Sequence, residues 1–441
     1  MSKRTPLVAL AATLATLAIA GCGAAPGSTE GGSSSDNPAA AAAAQGLGID
    51  LAACPGDVTT VFGPQEKVGL TLPLTGGPAS AFATLGPGAL AAFEQANATA
   101  DLPTKFELVQ KDDQFQPDKT LAAAQGLIQQ DGVVGFSGVT GTANALAIRD
   151  LLKEDCIPAL GLPAGGTVIN DPAYPGIVQT TVPFTLDARV WVEDVNRRFP
   201  DGTGIATFIG NTESGKDYTA DIAKWMERTG SKSRIVATES IEATDAAAPS
   251  SAITTMRNSG AQVLFAAPTG AQCVSMMTEM ANQGWKPITY LTTNCASTAF
   301  FSAAGPAGEG VLTVQAFKDV NSPRFKNDPD VQAVRAAMEK YSPSADPDNT
   351  TAYGGFTYAS VFLEAAREAA KSDLGLSRLG LIVAGRHLDF HPPMFIDGVD
   401  FTTDGLEDMV PVEAGELNPW SVAEGGFVQG TLYDFEGQLT D

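Results

Sequence analysis

The sequence predicts an α/β protein of two doubly wound, Rossmann-like lobes, on three observations. Between residues 67 and 292, strand-like runs alternate with runs of helical periodicity, the pattern of parallel sheets with right-handed crossovers. The alternation comes in two sets, separated at Pro183. Roughly 390 residues follow the low-complexity start, more than one hydrophobic core accommodates and a natural length for two domains.

In the first set, Lys67–Leu72 reads as a strand, Gly88–Ala96 as a helix and Phe106–Gln110 as a strand. A helix over Asp118–Gln130 follows, with Asp118 as its N-cap by residue type. Strand Gly132–Phe136, helix Thr142–Glu154 and the short buried strand Ile157–Leu160 complete the set. The second set opens with helix Thr185–Arg197, then strand Gly204–Ile209, helix Asp217–Thr229 and strand Arg234–Glu239. It continues with helix Ser250–Ser259, strand Val263–Ala267, helix Gln272–Gln283 and strand Thr289–Thr292. Ligands of open α/β sheets bind outside the carboxyl ends of the strands, so the loops there are the candidate site.

The start of the chain carries an address. Lys3 and Arg4 precede an apolar run of thirteen residues, Leu7–Ile19, and Ile19-Ala20-Gly21-Cys22 follows. A basic start, a short apolar run and small residues make a secretory leader over residues 1–21; spanning a bilayer needs about 20 apolar residues. Ile-Ala-Gly-Cys resembles the lipobox of bacterial lipoproteins, which makes Cys22 the lipidated first residue of the mature chain; the other reading is an ordinary leader with an incidental Cys22. Residues 22–50, rich in Gly, Ser and Ala, bury too little apolar surface to fold and read as a disordered tether. The expected location is the outer face of a bacterial cell membrane, held through the lipid anchor alone.

Charge and cysteine usage agree with that address. The chain holds 27 Lys and Arg against 50 Asp and Glu, a net charge of −23, and losing Lys3 and Arg4 makes it −25 (25 minus 50). That sign argues against nucleic acid and anionic lipid as partners. After Cys22 four cysteines remain, enough for two disulfides with three possible pairings. Cys273 and Cys295 each follow a predicted strand in consecutive βα units, which favours Cys273–Cys295 and leaves Cys54–Cys156; free buried thiols are the alternative.

Three sequences imitate catalytic motifs. Gly210-Asn211-Thr212-Glu213-Ser214-Gly215-Lys216-Asp217 nearly spells a P-loop, but Asp217 stands where the Mg²⁺-binding hydroxyl belongs and repels phosphate. Gly135-Phe136-Ser137-Gly138 lacks the second Gly spacing of a nucleophile elbow. His387 and His391 are the chain's two histidines, and Phe390 with Pro392-Pro393 makes their segment extended rather than a helical zinc seat. No enzyme activity, cofactor or metal is expected.

The order of four segments is specific: KVGLTLPLTGGPASAF, QKDDQFQPDKTLAAAQGLI, VVGFSGVTGTANALA and IPALGLPAGGT. Over roughly Glu66–Tyr358 the chain resembles the Leu/Ile/Val-binding periplasmic proteins, type I substrate-binding proteins of ABC importers. Asp112, Asp113 and Pro117 before a helix are a characteristic piece. The resemblance implies two lobes joined by a three-stranded hinge, with a ligand cleft between them. Crossings are expected near Thr180–Pro183, near Thr313–Ala316 and once late in the chain. One lobe is then 51–182 with about 315–410, and the other 183–314 with about 411–441. Pro392–Asp404 and Trp420–Asp441 are expected to supply late strands.

The same resemblance implies ligand contacts. In the first lobe they are Thr142 and Ala143 at a helix start, with Thr140 nearby. Ala164, Gly165 and Gly166 form a loop of small residues, and Phe82 is the apolar wall of loop 76–85. A helix N-terminus with unpaired N–H groups suits a carboxylate, although Thr142 also fits as a simple cap. In the second lobe the contacts fall on Ser214, Gly215, Thr269 and Asn294. Ser214 and Thr269 stand where the family often has aromatics, and Asn294 replaces the acid that holds an α-ammonium. A branched-chain amino acid is therefore less suited than a carboxylate, amide, urea-like or aromatic-acid ligand, unless Glu213 or Asp217 supplies the charge. The implied partners are one small ligand and ABC permease subunits, with the protein acting as a monomer. Two other readings share the sequence: a ligand-sensing receptor component of the same fold, and a surface amidohydrolase with a base beside Ser214 or Thr142.

Overall fold

The computed structural model describes residues 37–76, 82–242, 245 and 247–439. The leader, Cys22 and the front of the expected tether lie outside them. The parallel pairing of βαβ units builds a first sheet from β1 (Gln65–Leu72), β2 (Lys105–Asp112), β3 (Gly135–Val139), β4 (Ala159–Leu162) and β5 (Ile177–Gln179). Its order is β2-β1-β3-β4-β5, with every pair parallel. Because helices cover it on both sides, its strands read as near-continuous apolar runs. Helix Leu85–Thr99 and helix Thr350–Lys371 place Phe93 and Phe362 in one cluster with Val68, Leu70 and Phe106. Helices Pro117–Gly126 and Thr142–Glu154 supply Ala124, Ile148 and Leu152 to another, with Phe136 and Val139.

The second sheet starts from β6 (Gly204–Gly210), β7 (Arg234–Ile241), β8 (Val263–Ala267), β9 (Ile288–Leu291) and β10 (Leu312–Gln315). These pair in parallel, in the order β7-β6-β8-β9-β10. Farther on, β11 (Asp389–Phe390) and β12 (Phe401–Thr402) make an antiparallel ribbon. Then β13 (Ala414–Ser421) joins β10 antiparallel, and β14 (Gly426–Phe427) and β15 (Thr431–Asp434) pair with β13. The chain passes between the sheets three times: after β5, after β10 and between β12 and β13. On the second passage Lys318 N–H donates to Met394 O, and Ile396 N–H to Ala316 O, at 2.8 and 2.9 Å.

Local chemistry moved several boundaries. Pro117 takes the first helical position after Gln116, so Asp118 sits in the first turn instead of capping it. That helix runs into a π turn at Leu127–Asp131. Thr212 caps the next lobe's helix through the Gly215 N–H at 3.1 Å, so Glu213–Arg228 begins four residues before the expected Asp217. Of the expected late strands, residues 392–404 give only the two-residue β12, because prolines and turns dominate there; β13 starts at Ala414, ahead of Trp420.

The tether expectation is corrected at its end. Pro38–Gly46 is a helix, capped by Asn37 through the Ala39 and Ala40 N–H groups. Its Ala40 and Ala44 are buried against Val58, Cys156 and Leu379. Composition underrates it because alanine is the best helix former and packs where a surface is already supplied. The Cys54–Cys156 disulfide staples this arm to the end of helix Thr142–Glu154, and Cys273–Cys295 forms the second bridge, the pairing expected from the sequence. Among the described residues, no helix is long and apolar enough to cross a membrane.

Candidate functional site

The carboxyl ends of both sheets open on one cleft of about 700 Å³. Phe82, Thr140, Thr142, Ala143, Ala164, Gly165, Ser214, Gly215, Thr269 and Asn294 all line it. Gly166 stands one layer behind, donating its N–H to Thr142 Oγ1 at 3.2 Å.

Each side of the cleft starts a helix at its centre. Helix Thr142–Glu154 follows β3 with Gly141 at its N-cap and no side chain capping it. Its first N–H groups therefore lack intrahelical partners and point out of the helix end. Thr142 is not the cap; its hydroxyl instead faces Ser214 Oγ of the opposite lobe at 3.5 Å. Ser214 belongs to the first turn of helix Glu213–Arg228, so two helix starts meet across the cleft. Thr140 Oγ1 turns back to Thr71 O at 3.4 Å, and the Gly215 N–H is taken by Thr212, so these two residues shape the wall through their backbones. The Thr269 N–H is held by Gln272 Oε1 at 3.2 Å. Asn294 is exposed in the lining, its N–H on Thr292 Oγ1 at 3.3 Å.

Aromatic rings line the wall among polar side chains such as Gln315 and Asn349, and the sequence indicated one of the rings. Phe82 stacks on Phe115, with centroids 5.4 Å apart and planes 10° apart. Phe115 is placed by its own N–H on Asp113 Oδ1 at 2.8 Å, at φ +59°. The signal was the second carboxylate of Asp112-Asp113, which anchors a turn two residues on. Phe184 stacks on Tyr218 at 4.5 Å and lies against Gly165, where an added Cβ would fall 2.4 Å from its ring. Tyr358 also lines the cleft from helix Thr350–Lys371.

Most charged groups in or beside the lining are already engaged; Asp348 pairs with Arg335 at 3.2 Å, while the carboxylate of the exposed Asp346 accepts, among the described residues, only the Asp348 N–H at 3.0 Å. Glu213 pairs with Lys216 at 2.6 Å, and the Lys318 ammonium sits between Asp328 and Asp330 at 3.0 and 2.7 Å. Asp217 accepts the Thr167 N–H and is pushed above the ordinary carboxylate range by burial. Neither Glu213 nor Asp217 is thus turned to a ligand ammonium. Behind the second wall, Asp187 is fully buried; one oxygen accepts from the Tyr218 hydroxyl at 2.5 Å and the Thr293 N–H at 2.9 Å. Burial pushes its carboxyl up to about 7.

The catalytic look-alikes resolve as structure. Thr212 and Asp217 use the near P-loop for capping and for the contact with Thr167. His387 Nδ1 meets Val383 O and His391 Nδ1 meets Asp400, each at a surface position away from the cleft lining. Among the described residues, Asp408, Glu413 and Glu436 bring carboxylate oxygens within 4.8 Å of one another, and none of the three lines the cleft. Glu413 already accepts the N–H groups of Gly437 and Leu439.

Residues 65–405 match the periplasmic binding protein family. No curated protein is significantly similar to the chain. Among solved structures, the chain is similar to a branched-chain amino acid ABC transporter protein from Thermus thermophilus with bound valine. The TM-score is 0.73 at 17% identity, covering 84% of this chain and 96% of that one. It is also similar to a fatty acid ABC transporter substrate-binding protein from Thermomonospora curvata, with TM-score 0.71, 17% identity and coverage of 86% and 94%. A third is a solute-binding protein of an ABC transporter from Rhodopseudomonas palustris BisB5 in complex with 3,4-dihydroxybenzoic acid, with TM-score 0.69, 21% identity and coverage of 84% and 98%.

Proposed function

The chain belongs to the periplasmic binding protein family, and from that premise we propose that it is an extracytoplasmic solute-binding lipoprotein delivering a small carboxylate with an aromatic or apolar body to an ABC importer. One observation carries the ligand class: the uncapped start of helix Thr142–Glu154 opens at the centre of a cleft walled by stacked rings. Helix-end amides and partial positive charge serve a carboxylate, and the rings serve a flat or apolar body. Glu213 and Asp348 in the lining are paired with Lys216 and Arg335, so an α-ammonium has only the exposed Asp346 to turn to, and burial away from it is costly in a closed cleft. The aromatic-acid ligand of the Rhodopseudomonas relative supports the same class.

In this reading the lobes are 51–182 with about 315–410 and 183–314 with about 411–441. Ligand touching Thr142 from one side and Ser214 from the other favours the closed state over the open one. Lipidation at Cys22 keeps the monomeric protein near its permease and raises its effective concentration there.

A thermal-shift screen tests this with benzoate and hydroxybenzoates, medium-chain fatty acids, amides, ureas and branched-chain amino acids. A ligand at 100 times its Kd adds about 2.7 kcal/mol. Stabilisation by carboxylates lacking an α-ammonium is the expected result. Stabilisation by amino acids alone would overturn the ligand class.

A further inference from the structure

Two carboxylates of one lobe meet a single residue of the other. Asp217 and Asp221 lie one turn apart on helix Glu213–Arg228, which follows β6. Asp217 accepts from the Thr167 backbone N–H, and Asp221 from the Thr167 hydroxyl at 3.1 Å. Thr167 belongs to the connection between β4 and β5, directly after the cleft loop Ala164-Gly165-Gly166. These bonds join the two sheets' own loops and exist only while the lobes are together. Asp221 is 5% exposed, so the contact is covered from water.

We propose that Asp217 and Asp221 are positioning residues that latch the closed cleft: they clamp Thr167, hold the adjoining ligand loop in place, and make closure a proton-coupled step. The proposal rests on the reading of two lobes that open and close around a solute, and it assigns that motion a pair of residues and a pH dependence.

The surroundings give the sign. On their own helix the carboxyls face each other, Lys224 and Tyr218. Helix Phe184–Arg198 presents Thr185 to Asp221, and the 163–169 loop presents the N–H groups of Thr167 and Val168 to Asp217. Burial raises both carboxyls, and the charge of Asp217 adds to the rise at Asp221, which reaches about 6. Opening uncovers the face that Thr167 and its loop bury and lowers both carboxyls towards ordinary values, while Thr185 and the charge of Asp217 stay beside Asp221 on its own lobe. The closed state therefore binds more protons than the open state. Its advantage is complete below about pH 4 and is lost as pH rises through about 6. For Asp221 alone, the closed-to-open ratio gains at most about tenfold between pH 8 and pH 5.

Small-angle X-ray scattering of the ligand-free protein, fitted as open and closed populations at pH 8 and pH 5, reads this ratio. The wild type is expected to gain up to about tenfold in closed form, and Asp221→Asn to lose most of that gain. Asp187 and Glu413 are also raised, to about 7, and any contribution from them stays in the variant. Asp217→Asn removes the neighbouring charge and is expected to shrink the step as well, so a poorly folding Asp221→Asn leaves the test intact. An unchanged wild-type ratio, or an undiminished step in the folded variants, overturns the latch. No solute is added, so either result leaves the ligand screen to decide the solute-binding reading.

Discussion

Replacing Asp187 with asparagine tests how the second wall of the cleft is held. The carboxyl is fully buried, supports Tyr218 and Thr293 through one oxygen, and has no partner on the other. Burial raises it from 3.8 to about 7, against the smaller opposing effect of hydrogen bonding from Tyr218, Thr293 and Thr292. A carboxyl raised in the folded state stabilises fully below its unfolded value, and that contribution is lost as pH climbs through the folded value. The window here runs from about pH 4 to pH 7. At 1.36 kcal/mol per pH unit, the ionised group costs about 4 kcal/mol above the window. Asparagine keeps an acceptor oxygen for both donors and carries no charge. Asp187→Asn should therefore gain stability relative to wild type with rising pH, by about 2.5 kcal/mol between pH 5 and pH 8. Urea denaturation at the two pH values measures this directly. Equal stability differences at pH 5 and pH 8, within about 0.5 kcal/mol, would show the carboxyl ionised throughout and refute the burial argument.

Two further perturbations address the frame that carries the site. Cys54→Ser with Cys156→Ser opens a bridge between residues 102 apart; the chain-entropy argument gives a loss of about 4.7 kcal/mol, read as a lower Tm, with protease cleavage gained in the 37–60 arm. An unchanged Tm would mean that packing alone docks the arm. Gly355→Ala puts a Cβ 2.0 Å from Leu85 O, where helices Leu85–Thr99 and Thr350–Lys371 touch. A cost of about 3 kcal/mol in urea denaturation is expected. Gly354→Ala, whose Cβ reaches only side chains at 3.7 Å and beyond, should be close to neutral.

The alternation of strands and helices was readable because buried parallel strands and amphipathic helices have different periods. Ten of the eleven implied ligand contacts line one cleft, since loops at the carboxyl ends of parallel strands are forced to the same edge. Their separate roles were less legible. Thr140 and Thr142 look alike in sequence, yet one hydroxyl turns back into β1 while the other faces Ser214 across the cleft. Phe115 was missed because its position depends on a positive-φ turn set by Asp113. The Pro38–Gly46 helix was missed because its order comes from a surface supplied by Cys156 and Leu379, far away in the chain.

By itself the sequence determined the two-lobed α/β class and the sign of the charge, and it favoured the edge on which the cleft opens and the cysteine pairing. Each follows from local periodicity, composition or strand position. Only the tertiary structure decided which polar groups remain available in the cleft. Glu213 and Asp217 each carry a charge in the sequence, but Lys216 takes one and Thr167 the other. A side chain's chemistry is written at its own position, while its freedom to bind depends on partners brought from elsewhere by folding.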